Sequence, residues 1–262
     1  MSTLYDAVQA TNDQGALALM LYAIPNFPDP DSYQEILHLL NGHPAVTIIE
    51  TTFPVTAKFS EFANQTIQQA HQQATAFADD WTLLERLQPF AKPSVCVLYR
   101  ETLEKWGYET ILEKIQGKID GILFEWEVPA IETYVEPSNR YGIELIQCAV
   151  PEMSLEETKK YLDLASENPL VYLVSAPMTG AETFAITELA ACVQLVKTLR
   201  PDAKVMAGFG IRSRADIQRL SHIEGLDGVI IGTAFLEVMK LGSSKVTAYL
   251  DELAPALTRM KE

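Results

Sequence analysis

The sequence predicts an α/β protein that folds as a single-domain (β/α)8 TIM barrel, and three observations lead to this prediction. Short, β-branched apolar runs alternate with longer amphipathic segments along the whole chain. Most of the short runs are apolar at nearly every position, which is typical of parallel strands that helices cover on both faces. The length of 262 residues matches one such barrel of about 250 residues. Because no Ser/Gly-rich linker interrupts the pattern, we expect one domain over residues 1–262.

Eight apolar runs predict the strands of the barrel: Leu17–Ile24, Ala45–Glu50, Ser94–Tyr99, Gly121–Glu125, Ile143–Ala149, Leu170–Ser175, Lys204–Gly208 and Gly228–Gly232. Between them, apolar residues at three- and four-residue spacing predict helices, among them Ser32–Leu40, Leu155–Ala165, Ala185–Leu199 and Arg214–Leu220. Asp31 and Ser154 are predicted N-caps, and Glu157 completes a capping box with Ser154. An open, doubly wound sheet is the alternative, but no Gly-x-Gly-x-x-Gly motif follows the first strand.

Two longer segments interrupt the alternation. Residues 51–80 predict a mobile loop followed by a helix that includes Gln65–Gln73, and residues 176–183 predict a loop after the sixth strand. In barrels of this kind the catalytic residues lie at the carboxyl ends of the strands. We therefore expect these two segments to border the functional site.

The composition argues against several classes of protein. The chain has 35 acidic and 20 basic residues and a formal net charge of −15, which disfavours nucleic acids and anionic membrane surfaces as partners. The amino-terminal residues lack the features of a signal peptide, and no apolar run approaches the roughly 20 residues of a membrane helix. We expect a cytoplasmic protein with three reduced, buried thiols, because the cysteines are few and widely spaced: Cys96, Cys148 and Cys192.

Glycine-bearing turns after the last three predicted strands indicate a phosphate site. They read Met178-Thr179-Gly180, Gly208-Phe209-Gly210-Ile211 and Gly232-Thr233. Glycine lets the backbone approach an anion closely, and the start of a helix adds a partial positive charge. Loops after the seventh and eighth strands often form such a site in these barrels. The alternative, that the glycines only close tight turns, fits one turn better than it fits three.

Glu50 is the main candidate for catalysis, since it ends the second predicted strand and would project into the open end of the barrel. Partial burial would raise its pKa and prepare it for proton transfer, although a structural hydrogen bond is the alternative. Glu125 and Glu127 follow the fourth strand and are weaker candidates. The histidines lie outside strand ends and are expected at the surface: His38, His43, His71 and His222.

Other reaction types find little support in the residues. The sequence has no His/Cys/carboxylate cluster with metal-ligand spacing and no Gly-x-Ser-x-Gly motif. Lysines are absent from the interiors of the predicted strands, which disfavours a Schiff-base aldolase. We therefore expect neither a metal nor a covalent intermediate.

Several motifs resemble the tryptophan synthase α chain family over nearly the whole chain. Ile48-Ile49-Glu50-Thr51-Thr52-Phe53-Pro54 resembles its second strand, and Gln65-Thr66-Ile67-Gln68-Gln69-Ala70 resembles the helix that follows. Three later segments resemble the phosphate-binding half of that family: Val171–Ser175 with Thr179-Gly180, Ala207–Arg212 and Gly228–Ala234. Asp29-Pro30, Tyr99 and Val128-Pro129 also fall in register.

This resemblance implies cleavage of indole-3-glycerol phosphate into indole and glyceraldehyde 3-phosphate, without a cofactor. Glu50 matches the glutamate that protonates the indole ring carbon, and such an acid contributes about 10²–10⁴-fold to rate. Tyr172 matches a tyrosine of the substrate pocket, and Tyr99 is a second expected substrate-binding residue. The residues that match the phosphate site are Thr179, Gly180, Gly208, Gly210, Gly232 and Thr233.

Two segments depart from the family pattern. The family loop after the second strand holds a catalytic aspartate near the indole nitrogen, whereas Ala63 or Asn64 falls at that position here and Glu61 is the candidate substitute. The family turn that contacts the β chain contains asparagine, but Arg100-Glu101-Thr102 stands here, which argues against a β-chain partner.

Three hypotheses follow from these matches and departures. The first is a lyase of the tryptophan synthase α type, and the second is a related barrel enzyme with another phosphorylated substrate. The third is a non-catalytic protein that binds a phosphorylated ligand. Glu50 at a strand end favours an enzyme, whereas the missing aspartate favours the other two hypotheses.

Overall fold

The computed structural model describes residues 3–78, 81–83, 90–125, 127–176, 179 and 185–259. The strands within these ranges are β1 (Ala18–Tyr22), β2 (Ile48–Thr52), β3 (Ser94–Leu98), β4 (Gly121–Phe124), β5 (Glu144–Leu145), β6 (Gln147–Ala149), β7 (Leu170–Val174), β8 (Lys204–Gly208) and β9 (Gly228–Ile231). They form one sheet in the order β5-β4-β3-β2-β1-β9-β8-β7-β6, and neighbouring strands are parallel.

The sheet is a nearly closed barrel with eight strand positions. Only Ile146 separates β5 from β6, so these two short strands occupy one position; β5 pairs with β4, and β6 pairs with β7. Each of the eight predicted apolar runs therefore corresponds to one position of the barrel, and the run Ile143–Ala149 holds the divided one. The predicted (β/α)8 fold class is confirmed.

The helices of the described residues are α1 (Thr3–Asp13), α2 (Pro30–Gly42), α3 (Gln65–Thr75), α4 (Arg100–Trp106), α5 (Tyr108–Ile115), α6 (Val135–Arg140), α7 (Leu155–Leu162), α8 (Ile186–Leu199), α9 (Arg214–Leu220), α10 (Thr233–Met239) and α11 (Ser243–Leu257). A short 3₁₀ helix covers Ile131–Tyr134. The helix predicted after the long loop is α3. The other four predicted helices are α2, α7, α8 and α9; α9 has the predicted bounds, and the ends of the other three differ by at most three residues.

The N-caps show one agreement and one difference. Ser154 begins α7 with the predicted capping box, in which its hydroxyl and the Glu157 side chain each bond the other's backbone N–H. The N-cap of α2 is Asp29, not Asp31, because the Asp29 carboxylate accepts hydrogen bonds from the backbone N–H groups of Asp31 and Ser32. Pro30 then occupies the first helical position, where no backbone donor is needed.

Burial of apolar side chains holds the helices against the barrel. Every residue of β1, β2, β3 and β8 is buried, which explains why the corresponding runs are apolar on both faces. Helix α8 buries one stripe at three- and four-residue spacing: Leu189, Cys192, Val193 and Val196. Each large aliphatic side chain buried in this way contributes about 1.5–3 kcal/mol.

A polar network fixes the amino-terminal ends of β8 and β9, opposite the loops that follow the strands. The Asp227 carboxylate binds Lys197 Nζ at 2.6 Å and Lys204 Nζ at 3.2 Å, and it accepts a hydrogen bond from the backbone N–H of Val205. Lys204 Nζ also donates to the side-chain oxygen of Asn12. These bonds satisfy charges that would otherwise be buried without partners.

The helices and the cysteines bear on two further expectations from the sequence. No helix of the described residues is long and apolar enough to span a lipid bilayer. Cys96 and Cys192 are buried free thiols as expected, whereas Cys148 is only half-buried because it lines the cavity described next.

Candidate active site

A cavity of about 650 Å³ opens at the carboxyl ends of the barrel strands, within the size range of small-molecule sites. Strands and loops from all around the barrel contribute to its lining. The lining includes most of the predicted site residues: Glu50, Tyr99, Tyr172, Thr179, Gly210, Gly232 and Thr233. Gly180 lies outside the described residues, and the structure places Gly208 and Glu61 elsewhere, as shown below.

Glu50 is held in the cavity by the barrel ladder. It is the third residue of β2, and its backbone pairs with Tyr22 of β1 and Val95 of β3. The side chain is only 4% exposed, and this burial raises its pKa to about 8 because a charged carboxylate is poorly solvated there. A carboxyl group with this pKa is largely protonated at neutral pH and can act as a general acid.

A buried chain of hydrogen bonds runs from the loop after β2 to Tyr99. The backbone N–H of Val55 donates to His71 Nδ1 at 3.1 Å, and His71 Nε2 lies 2.9 Å from the Tyr22 hydroxyl. Nδ1 is therefore an acceptor, so the neutral ring has its proton on Nε2 and donates to Tyr22. The Tyr22 hydroxyl, 3.2 Å from that of Tyr99, then donates to Tyr99. This direction leaves the Tyr99 hydroxyl proton for a ligand in the cavity.

The surface position expected for His71 is wrong, because its side chain is fully buried. Burial lowers the pKa of His71 to about 3, which keeps the ring neutral. A sequence signal for this burial exists: His71 shares one face of α3 with Ile67, Ala70 and Ala74, which are also buried. The helical spacing of these four residues is that of a stripe facing the core.

Four residues of the predicted phosphate site lie in the cavity lining after the last strands. Gly210 follows β8 in a turn where its φ is +72°, a backbone conformation that favours glycine. Gly232 is the N-cap of α10, and Thr233 is the first residue of that helix. Thr179 follows β7 and also lines the cavity, and the Asn64 side chain bonds both Thr179 and Thr233. These four predicted residues therefore line one cavity, and their contact with a phosphate stays a prediction.

Asn64 connects the loop after β2 to this region. Its backbone N–H donates to Thr179 Oγ1 at 3.0 Å, and its side-chain amide donates to the Thr179 carbonyl at 2.9 Å and to Thr233 Oγ1 at 3.2 Å. Because Thr233 Oγ1 accepts this bond, its own proton remains available for an anion. Asn64 also caps α3 through Ile67 N–H. It therefore ties the loop to two threonines and supplies no carboxylate.

Gly208 lies behind the ring of Tyr172. It is not among the residues that line the cavity, because the Tyr172 ring covers it. A Cβ atom built on Gly208 would lie within 2.6 Å of the hydroxyl oxygen and two ring carbons of Tyr172. Glycine is thus needed here for the close approach of Tyr172, and the contact between Gly208 and phosphate stays a prediction.

The loop after β2 also places the acidic candidates differently from expectation. Glu61 is exposed and does not line the cavity, because the neighbouring Phe62 and Ala63 turn into it instead. Glu125, directly after β4, lines the cavity and accepts hydrogen bonds from the backbone N–H and the hydroxyl of Ser60. Burial raises the pKa of Glu125 to about 7, although the Ser60 hydrogen bonds and the charge of Arg100 oppose this shift.

The first half of the same loop is bound to α4. The Glu101 carboxylate accepts hydrogen bonds from the backbone N–H groups of Thr56 and Ala57 and from the Thr56 hydroxyl. Lys58 forms an ion pair with Glu104 one turn further along the helix. The loop therefore has bonds to α4, to Glu125 and to Thr179 along its length.

Within the residues that the structure describes, no group of three or more His, Cys, Asp or Glu side chains could hold a metal ion.

The fold and the cavity define a class of protein: a (β/α)8 barrel with a small-molecule site at the carboxyl ends of its strands. The tryptophan synthase alpha chain family model matches residues 8–262, and the chain therefore belongs to this family of lyases. The tryptophan synthase alpha chain of Methanosarcina barkeri is 28% identical over 250 residues, which cover 92% of this chain and 90% of that protein.

Solved structures show the same fold at lower identity. A structure of Mycobacterium tuberculosis tryptophan synthase superposes with a TM-score of 0.85 at 21% identity and covers 99% of both chains. The alpha subunit of tryptophan synthase from Campylobacter jejuni superposes with a TM-score of 0.78 at 22% identity, covering 91% of this chain and 96% of that chain. The likeness in fold thus extends over nearly the whole barrel.

Proposed function

We propose that this chain is a lyase that cleaves indole-3-glycerol phosphate into indole and glyceraldehyde 3-phosphate without a cofactor. The observation that carries this proposal is the position of Glu50, a buried carboxyl group with a pKa raised to about 8. It shares one cavity with the predicted phosphate-binding residues. Membership of the tryptophan synthase alpha chain family supports the same reaction.

The cavity residues suggest how the substrate binds. The phosphate would accept hydrogen bonds from the Thr233 hydroxyl and from backbone N–H groups around Gly210 and Gly232. The indole ring would lie deeper, beside Tyr99 and Tyr172, which are both at most 5% exposed. Apolar side chains make up much of the rest of the lining, as is usual for a site that binds an aromatic ring.

The reaction then needs one proton transfer in each direction. Glu50 donates its proton to ring carbon C3, which produces an indoleninium cation and makes C3 a good leaving group. The electron pair of the bond between C3 and the glycerol carbon returns to the ring as that bond breaks. The hydroxyl proton of the glycerol carbon leaves to the ionised Glu50, and the aldehyde forms. Glu50 ends in its starting state, so the reaction is balanced.

An indole-release assay with purified protein and indole-3-glycerol phosphate tests the proposal. Turnover is expected, together with binding of an indole-propanol phosphate analogue measured by calorimetry. Binding of the analogue without turnover would favour the non-catalytic hypothesis. Absence of both would contradict the proposal and favour another phosphorylated substrate.

Gly208→Ala is expected to weaken substrate binding by displacing the Tyr172 ring into the cavity. The displaced ring would occupy space that the substrate needs, so KM should rise about tenfold, which corresponds to about 1.4 kcal/mol of binding free energy. KM for indole-3-glycerol phosphate and the dissociation constant of the analogue are the measurements. In a Tyr172→Ala background the same substitution should have little further effect, because the clashing ring is gone. An equal effect in both backgrounds would contradict this explanation.

We also propose that the reaction does not require a β chain, although tryptophan synthase alpha chains normally pair with one. Glu101 stands where the family has its β-chain contact and lies in the first turn of α4, where it already binds Thr56 and Ala57 of the same chain. A partner that used this turn would have to displace bonds to a charged acceptor, which are stronger than neutral ones. Addition of a purified tryptophan synthase β chain should therefore leave kcat unchanged, and a marked increase would contradict the proposal.

A further inference from the structure

We propose that Glu125 is the second catalytic carboxylate of this site, accepting a hydrogen bond from the indole N–H of the substrate. This inference rests on the function proposed above. It replaces Glu61, which the sequence suggested and which the structure leaves exposed outside the cavity. Glu125 directly follows β4, so the barrel itself fixes its position, whereas Glu61 lies on the divergent loop.

The topology places Glu125 at the right distance from Glu50. Glu125 directly follows β4, and Glu50 lies in β2, with only β3 between these strands. Neighbouring strands are about 4.8 Å apart, so the two backbones are separated by about 10 Å. Both side chains extend into the same cavity. An indole ring placed between them can present C3 to Glu50 and its N–H to Glu125.

The contact with Ser60 orients Glu125. The backbone N–H of Ser60 lies 3.0 Å and its hydroxyl 2.5 Å from Glu125 Oε1. A carboxylate has about four acceptor positions, so positions remain for a donor in the cavity. The loop that lacks the family's aspartate thus contributes by holding a carboxylate that belongs to a neighbouring strand.

The charge on Glu125 has a specific use in the reaction. When Glu50 protonates C3, positive charge spreads to the indole nitrogen, and a carboxylate hydrogen-bonded to that N–H stabilises the cation. The proton remains on nitrogen throughout, because both substrate and product carry it there. Glu125 therefore needs to be ionised, whereas Glu50 needs to be protonated.

These opposite requirements predict a bell-shaped dependence of kcat/KM on pH. Below about 7, the pKa of Glu125, this carboxylate gains a proton and loses the charge that stabilises the cation. Above about 8, the pKa of Glu50, the acid loses the proton that it must donate. The maximum is therefore expected between the two values.

Other groups around the two carboxylates change charge outside this interval. Burial raises the pKa of the tyrosines and thiols that face Glu50 or Glu125, and it lowers that of His71 to about 3. These tyrosines and thiols are Tyr22, Cys96, Tyr99, Cys148 and Tyr172. Arg100 faces Glu125, and its positive charge lowers the pKa of that carboxyl group. The charged side chains of the outer lining are exposed: Glu127, Glu152, Glu157, Lys160 and Arg212.

Glu125→Gln tests the inference, because glutamine keeps one acceptor oxygen for Ser60, loses the charge and replaces the other oxygen with an NH2 donor. We expect kcat to fall about 10²-fold or more and the acidic limb of the pH profile to disappear. Ser60→Ala removes one donor to the carboxylate and should move the acidic limb to higher pH. Indole release from pH 5.5 to 9.5 measures both effects.

Glu61→Gln is the matched control and should change neither kcat nor the pH profile. Unchanged kcat in Glu125→Gln, or an acidic limb that persists near pH 7, would overturn the inference. If wild type turns over and Glu50→Gln does not, the proposed function stands even when the Glu125 inference fails. Absence of turnover in wild type would instead remove the proposed function itself.

Discussion

Replacement of Glu50 with glutamine is expected to lower kcat for indole release by about 10²–10⁴-fold, the usual contribution of a positioned general acid. Glutamine has nearly the same shape as a protonated glutamic acid but cannot donate an acidic proton to C3. The β2 ladder that holds residue 50 uses only backbone groups, so the site should keep its geometry. The indole-propanol phosphate analogue should accordingly bind the variant as tightly as it binds wild type.

A stability measurement shows whether the Glu50→Gln protein is folded and whether Glu50 has the raised pKa. The pKa of Glu50 in the folded state, about 8, is above its ordinary value. The folded protein therefore binds more protons at this position than the unfolded chain, and the resulting stability is lost as pH rises through about 8. The Tm of Glu50→Gln relative to wild type should increase between pH 5 and pH 9. Turnover close to that of wild type would contradict the assignment of Glu50.

The barrel could be predicted from sequence because its signal is repeated and local. Each buried strand must be apolar on both faces, and each helix must bury one stripe, so the alternation appears in every unit. The same argument placed Glu50 at the end of its strand; in the structure it is the third of five residues of β2, and it lines the cavity at the open end of the barrel. The division of the fifth strand at Ile146 was not predictable, because it depends on pairing with β4 on one side and β7 on the other.

The details of the site depend on contacts that sequence spacing does not encode. Ser60 and Glu125 are 65 positions apart, and nothing in either segment indicates that a loop from β2 would bind the end of β4. Gly208 shows a second difficulty, since close approach to an anion and close approach to a ring both require glycine. The structure shows the close approach of the Tyr172 ring to Gly208, which the sequence pattern of the turn does not indicate. The burial of His71, in contrast, could have been predicted from the sequence, because His71 belongs to the stripe of α3 that faces the core.

Gly228→Ala is expected to cause a large loss of stability. Gly228 lies in β9, between β1 and β8, and an added Cβ atom would lie 2.6 Å from the carbonyl oxygen of Ala18 and 2.7 Å from Met206 Cε. Ala18 O belongs to the backbone of β1, so it cannot move away without disturbing the strand pairing. Overpacking of this kind costs about 1–3 kcal/mol, which corresponds to about 2–4 °C of Tm per kcal/mol in a domain near this size.

Gly42→Ala provides the matched control for Gly228→Ala. Gly42 is the last residue of α2, and a Cβ atom there would meet no atom within 4 Å. The substitution should leave Tm unchanged or raise it slightly, because alanine reduces the conformational freedom of the unfolded chain. Thermal unfolding of both variants followed by circular dichroism is the measurement. Equal Tm values would contradict the prediction. They would mean that β1 and β9 can separate without cost, although a continuous ladder joins them from Ala18 to Leu21.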